Sequence, residues 1–176
     1  MIHNERECRH AHLLTVVQQM MTAARTAPKG KGVDIIEVAA IDGEQIVQLS
    51  RTLVAMYDEN GFKFFLRDAD NILSAEYIVL IGTHDKPQGL NCGYCGFDTC
   101  DSRSALVPCA INTVDVGIAV GSACATASDL RVDTRVMFSA GAAAERLGLL
   151  AGCRHIYAIA VSASSKNPFF DRKPKQ

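Results

Sequence analysis

Hydrophobic positions recur with a helical period in the first third of the chain. Between residues 6 and 25, Leu13, Val17 and Met20 lie three or four positions apart, and residues 42–61 repeat this spacing. Apolar residues at such intervals share one face of an α-helix. Both stretches are therefore predicted to be amphipathic helices that bury one face.

Two more helices are predicted in the second half of the chain. Residues 110–128 form a largely apolar stretch, and residues 134–150 form an alanine-rich stretch. The residues of the first stretch that are predicted to face the core are Ile111, Val114, Ile118 and Ala125. The small residues of the second stretch favour close packing against a neighbouring element.

Three apolar runs have the length and composition of β-strands: "DIIEVAAI" (34–41), "EYIVLIG" (76–82) and "HIYAIAV" (155–161). The second is almost unbroken, which is typical of a strand that is covered on both faces. Strands and helices intermingle without a regular β-α-β alternation, so the pattern predicts an α+β fold. We interpret residues 1–176 as a single domain with a cysteine-rich segment, residues 91–109, inside it.

Composition and charge restrict the class of partner. The chain is 48% hydrophobic and 21% charged, and its net charge is −1. Such a balance is that of a globular protein and gives no reason to expect binding to nucleic acid or to an anionic membrane. The strand-sized apolar runs are too short to cross a bilayer, and the polar start "MIHNERECRHAH" is unlike a secretory signal. We therefore expect a cytoplasmic protein without a membrane partner.

Four of the seven cysteines lie in the segment "NCGYCGFDTCDSRSALVPC": Cys92, Cys95, Cys100 and Cys109. A reducing cytosol makes structural disulfides the weakest explanation for such a cluster. An iron–sulfur cluster, a zinc ion and a redox-active dithiol remain as alternatives.

The spacing within this segment favours an iron–sulfur cluster over zinc. The two residues between Cys92 and Cys95 allow one tight turn to deliver both sulfurs, and Gly93 and Gly96 permit the backbone angles of such a turn. Structural zinc sites usually pair two C-x2-C turns, whereas only one is present here. We predict that Cys92, Cys95, Cys100 and Cys109 converge on a 4Fe-4S cluster, with zinc as the alternative.

A group of cations follows the first predicted helix. Arg25, Lys29 and Lys31 surround two glycines at positions 30 and 32. A flexible turn with free N–H groups and cations is suited to a phosphate group. A solvated turn that merely ends the helix is an equally good interpretation.

The segments "NCGYCGFDTC", "DVGIAVGSA" and "SASSKNPFFDR" together resemble a family of uncharacterised bacterial and archaeal proteins that contain a ferredoxin domain. This resemblance covers most of the chain and implies a cluster-binding protein. Related four-iron domains place their fourth cysteine farther along than Cys109, so Cys124 is kept as an alternative fourth ligand.

A second resemblance concerns the scaffold. The segments "AARTAP" and "AAAERLGL" are similar to motifs of the flavin-dependent nitroreductases. This implies a nitroreductase-like sandwich with a mostly antiparallel central sheet, and it raises FMN as a second cofactor, with Arg25, Lys29 and Lys31 as candidates for binding its phosphate. The arginine-rich start of those enzymes is absent, and Lys29 stands where they carry serine.

These observations lead to one main hypothesis of function and to an alternative. The main hypothesis is an iron–sulfur redox protein with electron-transfer or reductase activity and an unknown redox partner. Because nitroreductase-like folds usually share their flavin site between two subunits, we also expect a homodimer, with helix 136–147 as the contact. The alternative is a non-enzymatic metal-binding module with a structural or sensing role.

Overall fold

Residues 1–170, which a computed structural model describes, contain four strands and five α-helices. The helices are α1 (Glu5–Thr26), α2 (Gly43–Asn60), α3 (Lys63–Ile72), α4 (Ala110–Asp129) and α5 (Phe138–Arg146). The strands are β1 (Ile36–Ile41), β2 (Tyr77–His84), β3 (Asp133–Met137) and β4 (Cys153–Ser162). The single-domain prediction also covered residues 171–176, which lie outside the described residues.

The four strands form one antiparallel sheet in the order β1-β2-β4-β3. Val79, in the middle of β2, lies opposite Ala40 of β1 and Ile159 of β4. The α+β fold with an antiparallel central sheet is therefore confirmed. Because β2 is an interior strand with helices above and below it, both of its faces are buried, which explains its unbroken apolar sequence.

Each face of the sheet packs against its own set of helices. Helices α2, α3 and α5 cover the face to which Ile78 and Leu80 point. Helices α1 and α4 cover the opposite face, to which Val79 and Ile81 point. All four of these β2 side chains are fully buried, and each contributes about 1.5–3 kcal/mol of hydrophobic stabilisation.

The first two predicted helices are confirmed, and their ends have local causes. The side chain of Asn4 accepts a hydrogen bond from the N–H of Arg6 at 3.0 Å, which caps the start of α1. Helix α2 ends at Gly61, whose φ of 74° is in the left-handed region that glycine favours.

One prediction of secondary structure was wrong at its start, and one helix was not predicted. Residues 133–137 form the edge strand β3 rather than the first turn of a helix, because Val136 and its neighbours pair with β4. Helix α5 therefore begins only at Phe138 and ends at Arg146. Helix α3 was not predicted, although its apolar positions at Phe65, Ala69 and Ile72 have helical spacing and are buried.

The predicted core face of α4 was also wrong. Val114 is 54% exposed and Ile118 is 40% exposed. The buried positions of α4 are instead Asn112, Asp115, Val116, Ala119, Ala123 and Ala127. By length and composition alone α4 would qualify as a membrane span, but a core helix meets the same criterion, and α4 packs on α1 and on the sheet.

The small residues of α5 pack within the chain. Ala140, Ala143 and Ala144 are fully buried against β4 and its neighbours. At Gly141 a Cβ atom would lie only 1.8 Å from the carbonyl oxygen of Ile156 on β4. This alanine face, which suggested a subunit contact, is therefore occupied by the sheet of its own chain.

Candidate functional site

The cysteine-rich segment lies in the connection between β2 and α4, where residues 85–109 form neither helix nor strand. Cys92 is exposed, Cys95 and Cys100 are half-buried, and Cys109 is buried. Cys109 directly precedes the first residue of α4. The last of the four thiols is thus fixed to the scaffold, while the first three lie in the loop.

The glycines of the loop form the predicted turn around Cys95. Gly93 and Gly96 have φ values of 73° and 85°, and the N–H of Gly96 donates to the carbonyl of Gly93 at 2.8 Å. Asn91 connects this turn to Cys100. Its side chain accepts from the Cys100 N–H at 2.8 Å, and its own N–H lies 3.4 Å from the Cys100 Sγ.

The convergence of the four thiols on a metal centre stays a prediction. No group of three or more His, Cys, Asp or Glu side chains within residues 1–170 is placed to hold a metal ion. The residues nevertheless fit a thiolate-bound centre in two respects. Four soft donors lie on one loop, and the buried Nε–H of Arg103, a residue of the same loop, lacks a hydrogen-bond partner within the described residues. Holding a metal would require the loop to close.

Cys124 is badly placed to be the fourth ligand. It lies within α4, fifteen residues beyond Cys109, which directly precedes that helix, and this separation corresponds to about 22 Å along the helix axis. Burial raises the pKa of its thiol, although a hydrogen bond with Thr134 opposes this effect. Both observations describe a packed structural cysteine at the far end of α4.

The three predicted phosphate-binding cations each bind groups of the chain itself. Arg25 donates to Asp34 Oδ2 at 2.8 Å and also to the Ile36 carbonyl. Lys29 donates to carbonyls at the end of α1, including that of Ala24 at 3.2 Å, and so caps the helix. A phosphate would have to compete with these contacts.

Lys31 differs from the other two cations in its surroundings. Its Nζ donates to the carbonyl of Gln88 at 3.0 Å. It also lines, together with Lys86, a hollow of about 170 Å³. Two lysines among its lining residues give the hollow a positive charge, which favours an anion.

A buried polar joint, which the sequence analysis missed, connects α4 to two loops. Both carboxylate oxygens of Asp115 lie 3.0 Å from the N–H of Gly30. The side chain of Asn112 accepts from Gln88 at 3.1 Å and donates to the Lys86 carbonyl at 2.9 Å. Asn112 and Asp115 are polar residues within an otherwise apolar helix, and this pattern could have indicated the joint. Polar groups that are buried need hydrogen-bond partners.

A cleft of about 260 Å³ opens between α4, α5 and β4. Its lining includes the aromatic residues Phe138 and Tyr157, both of which are exposed, together with Glu145 and His155. Residues 153–157 of β4 extend past the end of β3, so within the described chain this edge of β4 has no strand partner. The cleft therefore combines aromatic residues with a strand edge whose His155 N–H donates to Glu145 Oε2 at 3.0 Å, and small-molecule sites likewise combine apolar walls with a few polar groups.

The cleft and the cysteine loop meet at the start of α4. Thr113, which lines the cleft, donates its N–H to the carbonyl of Cys109 at 3.1 Å. On β4, Arg154 precedes the cleft residue His155 and lies 3.4 Å from the carbonyl of Ala105 in the loop. One helical turn thus separates the last cysteine from the aromatic cleft.

The chain belongs to a family of proteins that contain a ferredoxin domain. Residues 106–172 match the family model described as "Uncharacterized protein containing a ferredoxin domain (DUF2148)". An uncharacterized protein of Archaeoglobus fulgidus is 36% identical over an alignment of 186 residues that covers 100% of both chains. The matched residues of this chain begin after Cys92, Cys95 and Cys100. The match therefore supports membership of the family and does not identify the metal ligands.

Solved structures with a similar fold include nitroreductases with bound FMN. A nitroreductase with bound FMN from Bacteroides fragilis is 12% identical, with a TM-score of 0.61 over 92% of this chain and 83% of that chain. A nitroreductase with bound FMN from Desulfitobacterium hafniense is 15% identical, with a TM-score of 0.57 over 86% and 78% of the two chains. At this level of identity the likeness establishes the nitroreductase fold.

Proposed function

We propose that the protein is a redox protein in which the cysteine loop holds an iron–sulfur centre beside a flavin-class cofactor. The observation that carries this proposal is the meeting of loop and cleft at the first turn of α4, between Cys109 and Thr113. Membership of a ferredoxin-domain family and the fold of FMN-binding nitroreductases support it. Electron-transfer or reductase activity toward an unidentified redox partner is the function that follows.

In this proposal Cys92, Cys95, Cys100 and Cys109 are the metal ligands. A 4Fe-4S cluster held by four thiolates supplies one-electron transfer. Bringing the sulfurs together requires the loop to move, and no neighbouring atom packs against the Cβ side of Gly89, Gly93 or Gly96 to oppose such a movement. Cys109 provides the fixed end of this movement, since it is buried at the start of α4.

The flavin-class ring is assigned to the cleft, between Phe138 and Tyr157. Exposed aromatic faces favour stacking of a planar ring. At about 260 Å³ the cleft is smaller than the roughly 300–1,000 Å³ of typical ligand pockets, so it encloses part of a cofactor. Of the three predicted phosphate-binding cations, Lys31 is the one that the proposal retains, because it lines an open hollow.

The visible spectrum of anaerobically purified protein tests the proposal. We expect a brown protein with broad absorption, bound iron and sulfide, and a further yellow component with resolved bands after addition of FMN. Phe138→Ala should weaken the binding of FMN and leave the iron content unchanged, because Phe138 lines the cleft and lies outside the loop. A colourless chain that takes up neither iron nor FMN would refute the proposal.

A structural zinc site is the second candidate. The turn closed between Gly93 and Gly96 around Cys95 has the form of a zinc knuckle, and thiolates bind zinc as well as iron. Metal analysis of the same preparation distinguishes the two. One zinc per chain, with no iron after anaerobic reconstitution, would favour a non-enzymatic metal-binding module.

A further inference from the structure

A buried arginine lies inside the cysteine-rich loop. The side chain of Arg103 is 6% exposed, and its Nη2 donates to Asp85 Oδ1 at 2.9 Å. Its Nη1 donates to the carbonyls of Val107 and Ser104. Taking a guanidinium group out of water is costly unless its N–H donors are satisfied. The burial of Arg103 therefore indicates a structural or functional role.

Arg103 fixes one half of the loop. Its backbone N–H donates to the carbonyl of Cys100 at 3.3 Å, and its side chain holds Val107, two residues before Cys109. The ion pair with Asp85 fastens this segment to the end of β2. The segment from Cys100 to Cys109 is thus held by one buried side chain.

The other half of the loop lacks such an anchor. Around Cys92 and Cys95 the described contacts are the turn between Gly93 and Gly96 and the bonds of Asn91 to Cys100. The three glycines of this half stand in open space. The half that carries Cys92 and Cys95 is therefore the half that can move.

One donor of Arg103 remains unused. Its Nε–H is buried and has no hydrogen-bond partner within residues 1–170. A buried donor without a partner destabilises the folded state, and more so when the donor carries a charge. An anionic sulfur beside it would satisfy both the N–H and the positive charge.

We propose that Arg103 is the positioning residue of the cysteine site. It fixes the segment from Cys100 to Cys109, and its free Nε–H is the hydrogen-bond donor for a sulfur ligand of the bound metal centre when Cys92 and Cys95 close onto that segment. This inference rests on the proposed function, since it requires a thiolate-bound centre. Hydrogen bonds to sulfur and nearby charge are the means by which proteins set the reduction potential of such centres.

The first test uses the metal-free chain, so it does not depend on the metal. Arg103→Ala should accelerate amide hydrogen exchange across residues 97–109, because the loop loses its anchor. Arg154→Ala is the matched control, since Arg154 also reaches the loop, at the Ala105 carbonyl, but is 45% exposed. Equal exchange in the two variants would overturn the anchoring role, and Arg103→Lys provides a second, charge-retaining variant where Arg103→Ala folds poorly.

The second test uses anaerobic reconstitution with Fe²⁺ and sulfide, followed by competition with an iron chelator. Arg103→Ala should weaken iron retention about tenfold or more, as loss of an outer-shell partner does, and Arg154→Ala should match the wild type. The reduction potential should become more negative in Arg103→Ala, because a positive charge that favours the reduced centre is gone. Arg103→Lys should restore part of the potential but not the retention.

The two failures can be told apart. A wild-type chain that binds no metal overturns the proposed function and the donor role with it, whereas the exchange experiment still decides the anchoring role. A wild-type chain that binds iron, with Arg103→Ala equal to it in retention and in potential, overturns the positioning role alone.

Discussion

At the scale of single residues, a buried hydrogen bond between α3 and α5 illustrates how much one hydroxyl contributes. Ser139 Oγ donates to Asp68 Oδ2 at 2.5 Å, and both residues are buried. Arg67 donates to the other oxygen of Asp68 at 2.8 Å. Ser139→Ala should lower the free energy of unfolding by about 1.5–3 kcal/mol, because the buried Asp68 carboxyl group loses a hydrogen-bond partner. Denaturant titration measures this. The control is Thr52→Ala, a half-buried residue whose hydroxyl makes only an exposed hydrogen bond to the Gln48 carbonyl, and we expect a change within about 0.5 kcal/mol. A change at Ser139 no larger than that of the control would contradict this account.

The buried thiol of Cys153 makes a prediction about pH. Burial, and secondarily the charge of Glu37, raises the pKa of this thiol above its usual range. The unfolded chain therefore ionises first as the pH rises beyond about 8.5, and stability that is fully present below that pH is lost as the pH climbs toward the folded-state pKa. The free energy of unfolding should fall between roughly pH 8 and 10, and Cys153→Ala should flatten this fall. Equal slopes in the two proteins would remove Cys153 as a cause.

At the scale of elements, the seating of α5 on β4 depends on one missing side chain. A Cβ atom at Gly141 would meet the carbonyl oxygen of Ile156 at 1.8 Å, and the backbone cannot yield as a side chain can. At Gly82 a Cβ atom would meet the Cγ1 of Ile156 at 2.8 Å, and that side chain can shift. Gly82→Ala should therefore cost about 1–3 kcal/mol, whereas Gly141→Ala should exceed this range or prevent folding. Thermal unfolding of both variants compares them, and a milder effect at Gly141 would show that α5 sits less tightly than described.

At the scale of the whole molecule, the exposed face of α4 predicts a homodimer. Val114 and Ile118 are exposed there, and Gly117 and Gly121 beside them would allow a second helix to approach closely. This face adjoins the small cleft through Thr113, so a second copy would help to enclose the cofactor. We expect light scattering to show a dimer at micromolar concentration, and we place the contact on α4 because the alanines of α5 are already packed on β4.

A charge on this face tests the dimer. Ile118→Glu should yield monomers, while Val54→Glu should not, because Val54 is equally exposed, at 39% against 40%, but lies on α2 across the sheet. Loss of FMN binding together with dimerisation would indicate that the cofactor site needs both copies. A wild-type monomer under these conditions would argue against the shared site.

Several features could be predicted from the sequence because their causes are local. Helices α1 and α2 have strong helical periodicity, and β2 is an apolar run of strand length. The cysteine cluster and the glycine turn around Cys95 follow from residues adjacent in the chain. The antiparallel sheet followed from element order together with the resemblance to nitroreductases.

Other features were decided only by contacts between distant residues. Alanine suits a buried or an exposed position equally, so the burial of one side of α4 depends on its close packing against α1 and on the bond from Asp115 to Gly30, 85 residues away. Residues 133–137 form strand β3 because they pair with β4. The sequence pattern, which contains no information about this partner, predicted a helix there. In the sequence, Arg103 is not distinguished from any other loop cation. Its role as an anchor becomes visible only from its contacts with Asp85 and Val107 in the folded chain. The sequence by itself determined which residues have the chemistry for a metal site or a binding site. The tertiary structure decided which of them lie in contact, because burial and pairing depend on the neighbours that folding brings together.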